Sequence, residues 1–473
     1  MEHTALTSTV QRLWQDSVLP SLSGLVAVPA VSPAFDADWA TNGHLDAAVE
    51  HVRTWIASRE LPGAQLEVVR LPGRSPLLLV DIPASPGAEE AGTALLYGHL
   101  DKQPPMDGWS EGLGPWTPVV RDGRLYGRGS ADDGYSGYAA VTALEALRTH
   151  GGSHARCVLL LETGEESGSP DLPAYLEHLA DRLGRVTLVV CLDSGAGDYE
   201  RMWLTTSLRG LAQVEVTVRV LQVGQHSGSA SGVVPSSFRV LRMLLDRIED
   251  PRTGEIKLPE LHVEIPADRL AETRDTVAVT PGALKNAFPV VDGLQLVSDD
   301  DLELALNRTW RPTLSVIGAD GLPAPADAGN VLRSHTTLSL SFRLPPTCDS
   351  AAALEAVRKA LTTDVPYGAQ VELGRVEHAD GWNAPTLAPW LREALDTASD
   401  TVFGQPWRTI GEGGSIPFMG LLHTAYPEAQ FVVTGALGPG SNAHVPDESL
   451  NLPYAEKVTA GVALILDAHA RAA

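Results

Sequence analysis

Between residues 77 and 192 the chain carries short runs that are apolar almost throughout: Leu77–Ile82, Ala94-Leu95-Leu96-Tyr97, residues 157–161 and residues 186–192. A strand with one wet face alternates apolar and polar positions. These runs do not, so they predict strands of a sheet covered on both faces. Amphipathic patterns near 43–60, 136–150 and 171–183 predict the covering helices. The pattern changes after about Ser207. Ala212-Gln213-Val214-Glu215-Val216-Thr217-Val218-Arg219 and Thr337-Leu338-Ser339-Leu340-Ser341-Phe342 both alternate, the mark of a sheet with one solvated face. Helices are expected at about 235–249 and 350–362 and a strand at 369–376, with a long mixed stretch between. After Gly381-Trp382-Asn383 the helix/strand alternation resumes, with a strand at Phe431-Val432-Val433-Thr434. The predicted organisation is an α/β domain in two parts, 1–207 and 378–473, with an α+β domain inserted at 208–377.

Composition sharpens this in a few places. A chain of 473 residues exceeds one ordinary core, which agrees with two domains. Apolar residues at 44% and charged residues at 20% describe a soluble globular protein, and no run of apolar residues is long enough for a membrane span. The start Met1-Glu2-His3-Thr4-Ala5-Leu6 lacks the basic and apolar segments of a signal peptide, and Cys157, Cys191 and Cys348 form no Cys-x-x-Cys pair. A cytoplasmic location is expected. A formal net charge of −24 speaks against a nucleic-acid partner, which needs clustered Lys and Arg. The run Asp299-Asp300-Asp301 reads as a solvated loop.

The candidate chemistry lies just beyond the predicted strands. His99 and Asp101 follow the run ending at Tyr97, Glu165-Glu166 follow 157–161, Asp193 follows 186–192, and His444 comes after the 431–434 strand. In α/β sheets, ligands collect beyond the carboxyl ends of the strands. To these the segment Gly127-Arg128-Gly129-Ser130-Ala131-Asp132-Asp133-Gly134 adds two adjacent carboxylates, costly to bring together without positive charge beside them. Singly, each residue has a bland reading: a core histidine, a turn aspartate, a solvated helix start. Together, two imidazoles and several carboxylates suit a pair of divalent cations, most naturally zinc, with manganese or cobalt as alternatives, bridged by one carboxylate and one water. The His99-x-Asp101 spacing lets Asp101 fix the tautomer of the imidazole. A rival pattern, Gly108-Trp109-Ser110-Glu111-Gly112, matches the Gly-x-Ser-x-Gly of serine hydrolases but has neither a strand before it nor a helix after it.

Four segments, Tyr97-Gly98-His99-Leu100-Asp101, Leu125-Tyr126-Gly127-Arg128-Gly129-Ser130-Ala131-Asp132-Asp133, Thr163-Gly164-Glu165-Glu166-Ser167-Gly168 and Asn442-Ala443-His444, resemble in order those of the co-catalytic zinc peptidases. That family includes carnosinase-like dipeptidases, carboxypeptidase G, aminoacylases and succinyl-diaminopimelate desuccinylase. The carnosinase-like branch is the best match, through His226-Ser227-Gly228, Phe342-Arg343-Leu344-Pro345 and Gly413-Gly414-Ser415-Ile416-Pro417. The resemblance implies a mixed-sheet catalytic domain with an inserted lid and dimerisation domain. It implies that Asp132 bridges two metals, that His99 and Asp193 complete one set of ligands, and that Glu166 and His444 complete the other. Glu165 would be the general base, and a cis peptide would join Asp132 to Asp133. His226 and Asn330 would serve the neighbouring subunit's site in a homodimer, His226 donating to the oxyanion. Arg343 would clamp the substrate's terminal carboxylate, with Ser415, Gly414 and, on a poorer local match, His378 as further contacts.

On sequence alone, His226 is an ordinary loop histidine and Arg343 a salt-bridge arginine. The chain also departs from the family pattern. Gly134 stands where Lys is usual, Gly411 where Arg commonly precedes Glu-Gly-Gly-Ser-Ile-Pro, and Asn330-Val331-Leu332-Arg333 where the lid often reads Thr-Val-Ile-Pro. The lost positive charge leaves open a less anionic substrate or a rearranged surrounding shell. The expected reaction is hydrolysis of the amide bond in dipeptides or similar small substrates with a free terminal carboxylate. Hydrolysis of N-acyl amino acids is the alternative, and a non-catalytic metal-binding scaffold a remote one.

Overall fold

A computed structural model describes residues 3–414 and 417–472 and divides into two compact units. The first comprises residues 1–206, 384–410 and 421–473, and the second residues 207–383 and 411–420.

The first unit is built on a six-stranded mixed sheet in the order Gln65–Val69, Leu77–Ile82, Arg156–Glu162, Thr93–His99, Val186–Cys191, Gln430–Val433. The first two pairings are antiparallel, and the remaining three are parallel. The wholly apolar runs form its middle, and every residue of Thr93–His99 is buried. The expected helices are present as His44–Ala57, Ser136–Thr149 and Leu172–Leu183, and Ser136–Thr149 packs on both Thr93–His99 and the C-terminal helix Leu452–Arg471. Burial on both faces is why these strands show no alternation.

The second unit holds a four-stranded antiparallel sheet in the order Thr313–Asp320, His335–Leu344, Gly210–Arg219, Gln370–Ala379. Gly210–Arg219 alternates buried and half-buried positions along its whole length. Its inner residues Ala212, Val214, Val216 and Val218 pack with Phe342, Leu340 and the helices Ser237–Leu245 and Ser350–Thr362 in a separate core. The mixed stretch supplies the helices Ala267–Val279 and Asp301–Thr309 and the edge strand Thr313–Asp320. Asp299 and Asp300 are exposed loop residues as expected, but Asp301 is helical, and the Asp300 carboxylate accepts the N–H groups of Leu302 and Glu303 and so starts the helix Asp301–Thr309. Among the described residues, no helix is long and apolar enough to cross a membrane.

On the sequence division, residues 411–420 go with the catalytic part. Here they group with the second unit, where the Arg209 N–H bonds to the Gly414 carbonyl at 3.0 Å and Arg308 pairs with Glu412.

Candidate metal centre and substrate groups

The parallel strands of the first unit aim their carboxyl ends at one place. His99 ends its strand, Glu165 and Glu166 follow Arg156–Glu162, and Asp193 lies two residues beyond Val186–Cys191. The peptide between Asp132 and Asp133 is cis, as the resemblance implies. Asp133 accepts the His99 N–H at 3.3 Å. Gly98 permits this approach, because a Cβ there would meet Ser136 Oγ at 2.1 Å and Asp133 Oδ2 at 2.8 Å.

Asp132 divides its oxygens between two imidazoles. Its Oδ1 lies 3.4 Å from His99 Nε2, and its Oδ2 lies 2.9 Å from His444 Nε2. Asp193 is 3.7 Å from His99 Nε2, and Glu166 is 3.2 Å from His444 Nε2. The predicted ligands thus lie around both imidazoles with Asp132 touching each, and donor atoms of His99, Asp132 and Glu166 and of His99, Glu165 and Asp193 form two clusters, each within 4.8 Å. Glu165 lies 3.9 Å from His99 Nε2, beside the His99–Asp193 side in space.

Asp101 does more than face His99. The imidazole Nδ1 lies 3.4 Å from its carboxylate and 3.0 Å from its backbone carbonyl, leaving Nε2 for a metal. The same carboxylate accepts the N–H groups of Glu165 at 3.2 Å and Glu166 at 3.0 Å, so one side chain fixes the histidine and the turn that carries the base.

Two buried polar atoms facing this space, His99 Nε2 and Glu166 Oε1, have no hydrogen-bond partner among the described residues. Burial raises Asp193 to about 7, with the Asp132 carboxylate adding to the effect. Burial, then the Asp193 charge, raises Glu165 well above the usual carboxylate range. Hydrogen bonds to Asp132 and Glu166 raise His444 to about 11. Buried carboxylates in such excess need a cation, and oriented N/O donors with unpaired atoms fit divalent ions well.

Sequence reasoning missed several groups around the centre. Gln103 donates to Glu166 Oε2 at 2.6 Å. Glu448 accepts the Ala131 and Asp132 N–H groups, and Arg128 pairs with it at 2.8 Å. The only sequence signal was proximity, Glu448 four residues after His444 and Arg128 four before Asp132. Ser110 lies in an exposed loop with no strand before it and no helix after it, so its motif is not a nucleophile elbow.

In the second unit, His226 and Asn330 are neighbours. The short strand Gln225–His226 pairs with Val331–Leu332, and the Ser227 N–H donates to the Asn330 carbonyl at 2.9 Å. Both residues are exposed. Arg343 sits opposite Thr313 and Leu211 on neighbouring strands. Arg209, buried, donates from Nε to the Gly413 carbonyl at 3.1 Å and from a terminal nitrogen to Thr313 Oγ1 at 3.3 Å. Burial, then Arg343 and Arg308, lowers its guanidinium to about 10. Arg209 and Arg308 thus flank the Gly413-Gly414 loop, and Arg343 lies close enough to Arg209 to act on its charge. A Cβ at Gly411 would meet Ser207 Oγ at 2.7 Å and Thr309 at 3.0 Å, so a side chain there would require its neighbours to shift, while Arg209, between two strands, and Arg308, on the helix Asp301–Thr309, bring positive charge to the loop. Ser415 lies outside the described residues.

His378 is not brought beside Arg343. Its register partner is Ala212, whose other neighbour is Phe342 on the helix-covered face, whereas Arg343 shares its row with Leu211 and Ala379. His378 Nδ1 instead lies 2.9 Å from Ser350 Oγ, at the start of helix Ser350–Thr362.

Residues 95–468 match the model of peptidase family M20/M25/M40. A cysteinylglycine-S-conjugate dipeptidase of Corynebacterium striatum is 27% identical over 370 residues, 78% of this chain and 79% of that protein. A human Beta-Ala-His dipeptidase is 26% identical over 391 residues, 80% of this chain and 74% of that one. The crystal structure of human carnosine dipeptidase 1 has the same fold, with a TM-score of 0.78 at 22% identity, covering 100% of this chain and 99% of that one. The chain belongs to peptidase family M20/M25/M40 and is a metallopeptidase of its carnosinase-like branch.

Proposed function

We propose that this protein hydrolyses the amide bond of dipeptides that carry a free terminal carboxylate, with two divalent cations, most naturally zinc. The observation that carries the reading is the splitting of the Asp132 oxygens between His99 and His444, each backed by its own second carboxylate. His99 and Asp193 would hold one ion, Glu166 and His444 the other, and Asp132 both. When bound, the ions would acidify a water and polarise the scissile carbonyl. Glu165, fixed through its backbone by Asp101, would take the proton from the attacking water and return it to the leaving amine. Arg343 and the Gly413-Gly414 loop, ringed by Arg209 and Arg308, would receive the substrate carboxylate. Relatives named for dipeptide substrates support the substrate class.

The test is a panel assayed on metal-free protein reloaded with zinc, manganese or cobalt. Free-carboxylate dipeptides should be cleaved, their C-terminal amides far more slowly, and chelation should abolish activity reversibly. Preferential cleavage of N-acyl amino acids would overturn the dipeptide reading. Two bound ions without any hydrolysis would favour a scaffold.

The protein would act as a two-fold homodimer, with His226 and Asn330 serving the partner's site. Both are exposed, and the edge strand Thr313–Asp320 presents Val316 and Ile317 at 50% and 60% exposure. A bare apolar edge of this kind invites pairing with a second copy. Mixing inactive Glu165→Gln and His226→Ala chains should restore activity, because one site of each heterodimer would hold both intact groups. No recovery despite proven subunit exchange, or a fully active monomer, would refute the shared site.

A further inference from the structure

We propose that Glu448 is a positioning residue for Asp132, acting through the backbone of the 127–134 loop and held in place by Arg128. The inference rests on the reading of Asp132 as the ligand shared by both ions.

Glu448 is fully buried, and among the described residues it makes no hydrogen bond to a side-chain atom of the candidate ligands. All its bonds go to the loop. Its Oε1 accepts the N–H groups of Ala131 and Asp132, both at 3.2 Å. Its Oε2 accepts from Arg128 at 2.8 Å, and its backbone carbonyl accepts the Gly127 N–H at 3.0 Å. One residue therefore grips the loop near both ends, four positions after the ligand His444 on its own segment.

Arg128 is Glu448's cation. The other buried cation nearby, Lys102, directs its ammonium to the carbonyls of Leu25 at 2.7 Å, Val26 at 3.2 Å and Val28 at 2.7 Å. Arg128 is itself fixed by its backbone N–H to the Pro115 carbonyl at 2.9 Å, and its guanidinium lies 5.7 Å from the centre of the Trp109 ring.

A buried ion pair is a poor device for stability alone, since well-packed apolar residues of similar size often do as well or better. What apolar residues cannot supply is an acceptor for two backbone N–H groups beside the shared ligand. Asp132 must present both oxygens in fixed directions, one to each ion. Outer groups that orient a metal ligand typically account for about 10- to 100-fold in metal affinity. Glu448 occupies that role for Asp132 as Asp101 does for His99.

Two double variants separate positioning from folding. R128M/E448Q removes the charges but keeps an oxygen opposite the two N–H groups, and R128M/E448L removes both. Zinc affinity of metal-free protein is measured by competition with a chromogenic chelator, alongside thermal melting without metal. The leucine variant should bind zinc at least about tenfold more weakly, and the glutamine variant within a few-fold of wild type. Equal, wild-type affinity in both would overturn the proposal. If the leucine variant fails to fold, the glutamine variant decides: a tenfold or greater loss there overturns it, and near-native affinity supports it. Asp132→Asn is the separate control. If that change leaves two ions bound with unchanged affinity, the reading of Asp132 itself fails, whatever Glu448 does.

Discussion

The two units hold most of their functional candidates differently, with the exposed ligand His444 in the first unit and the buried Arg209 in the second as exceptions. In the first, His99, Asp132 and Asp193 are buried, and buried carboxylates hold the loops by their backbone N–H groups, Asp101 for Glu165 and Glu166 and Glu448 for Ala131 and Asp132. In the second, His226, Asn330 and Gly414 are exposed and are placed by strand pairing or by arginine bonds to carbonyls. Reacting groups gain from being fixed before substrate arrives, because reorganisation at the moment of reaction then costs nothing. Recognition groups must meet a ligand from solvent, so exposure is part of their function. Loss of a metal ligand or of the base in the first unit should therefore appear in turnover, and loss of a carboxylate-binding group of the second unit, such as Arg343, in apparent binding; His226, as an oxyanion donor, would act on turnover although it lies in the second unit.

The sharpest test of that contrast is Glu165→Gln. The change keeps shape and the backbone bond to Asp101 but removes the proton acceptor. We expect kcat to fall by about two to four decades, with zinc stoichiometry and melting temperature close to wild type. Turnover near the wild-type rate would remove Glu165 from the chemistry.

A smaller effect is expected at Arg343→Lys, which keeps the charge but loses the planar pair of donors suited to a carboxylate. KM for free-carboxylate dipeptides should rise by roughly tenfold, about 1.4 kcal/mol, with kcat much less affected. C-terminally amidated substrates should barely respond. A fall in kcat with KM unchanged would break the division of labour between the units.

The first unit was the more legible from sequence because each ligand there follows a strand end, and wholly apolar strands announce themselves. His99, Glu165, Glu166 and Asp193 needed only that rule. Glu448 did not follow it. Its partners lie more than three hundred positions away, at Arg128, Ala131 and Asp132, and nothing in local pattern links them. Arg209 was hidden for the same reason, since its partners at Gly413 and Thr313 come from distant segments. The helix Ala267–Val279 escaped notice because Arg269 is its one buried residue, leaving almost no apolar stripe to read. The departure at Gly411 left two readings open, a less anionic substrate or a rearranged surrounding shell. Ser207 and Thr309 stand beside Gly411 while Arg308 pairs with Glu412 at the same loop, an arrangement that agrees with the rearranged shell.

His378 carries the smallest expected effect and tests the face assignment directly. The strand Gln370–Ala379 pairs Leu373 with Val216 but Val376 with Val214, so it has one residue more than its partner between those positions. That bulge reverses which residues face the helices. Without it, His378 would share a row with Arg343, where a role at the substrate carboxylate is natural. With it, His378 stands in the row of Ala212 and Phe342 and bonds to Ser350. His378→Ala should therefore cost about 1 kcal/mol of stability, the ordinary worth of one hydrogen bond. The kcat/KM for dipeptides should stay close to wild type, since the residue faces the helices and not the row of Arg343. Steady-state kinetics and thermal melting on the same preparation read both quantities. A tenfold loss of kcat/KM without loss of stability would return His378 to the substrate side and undo the register argument.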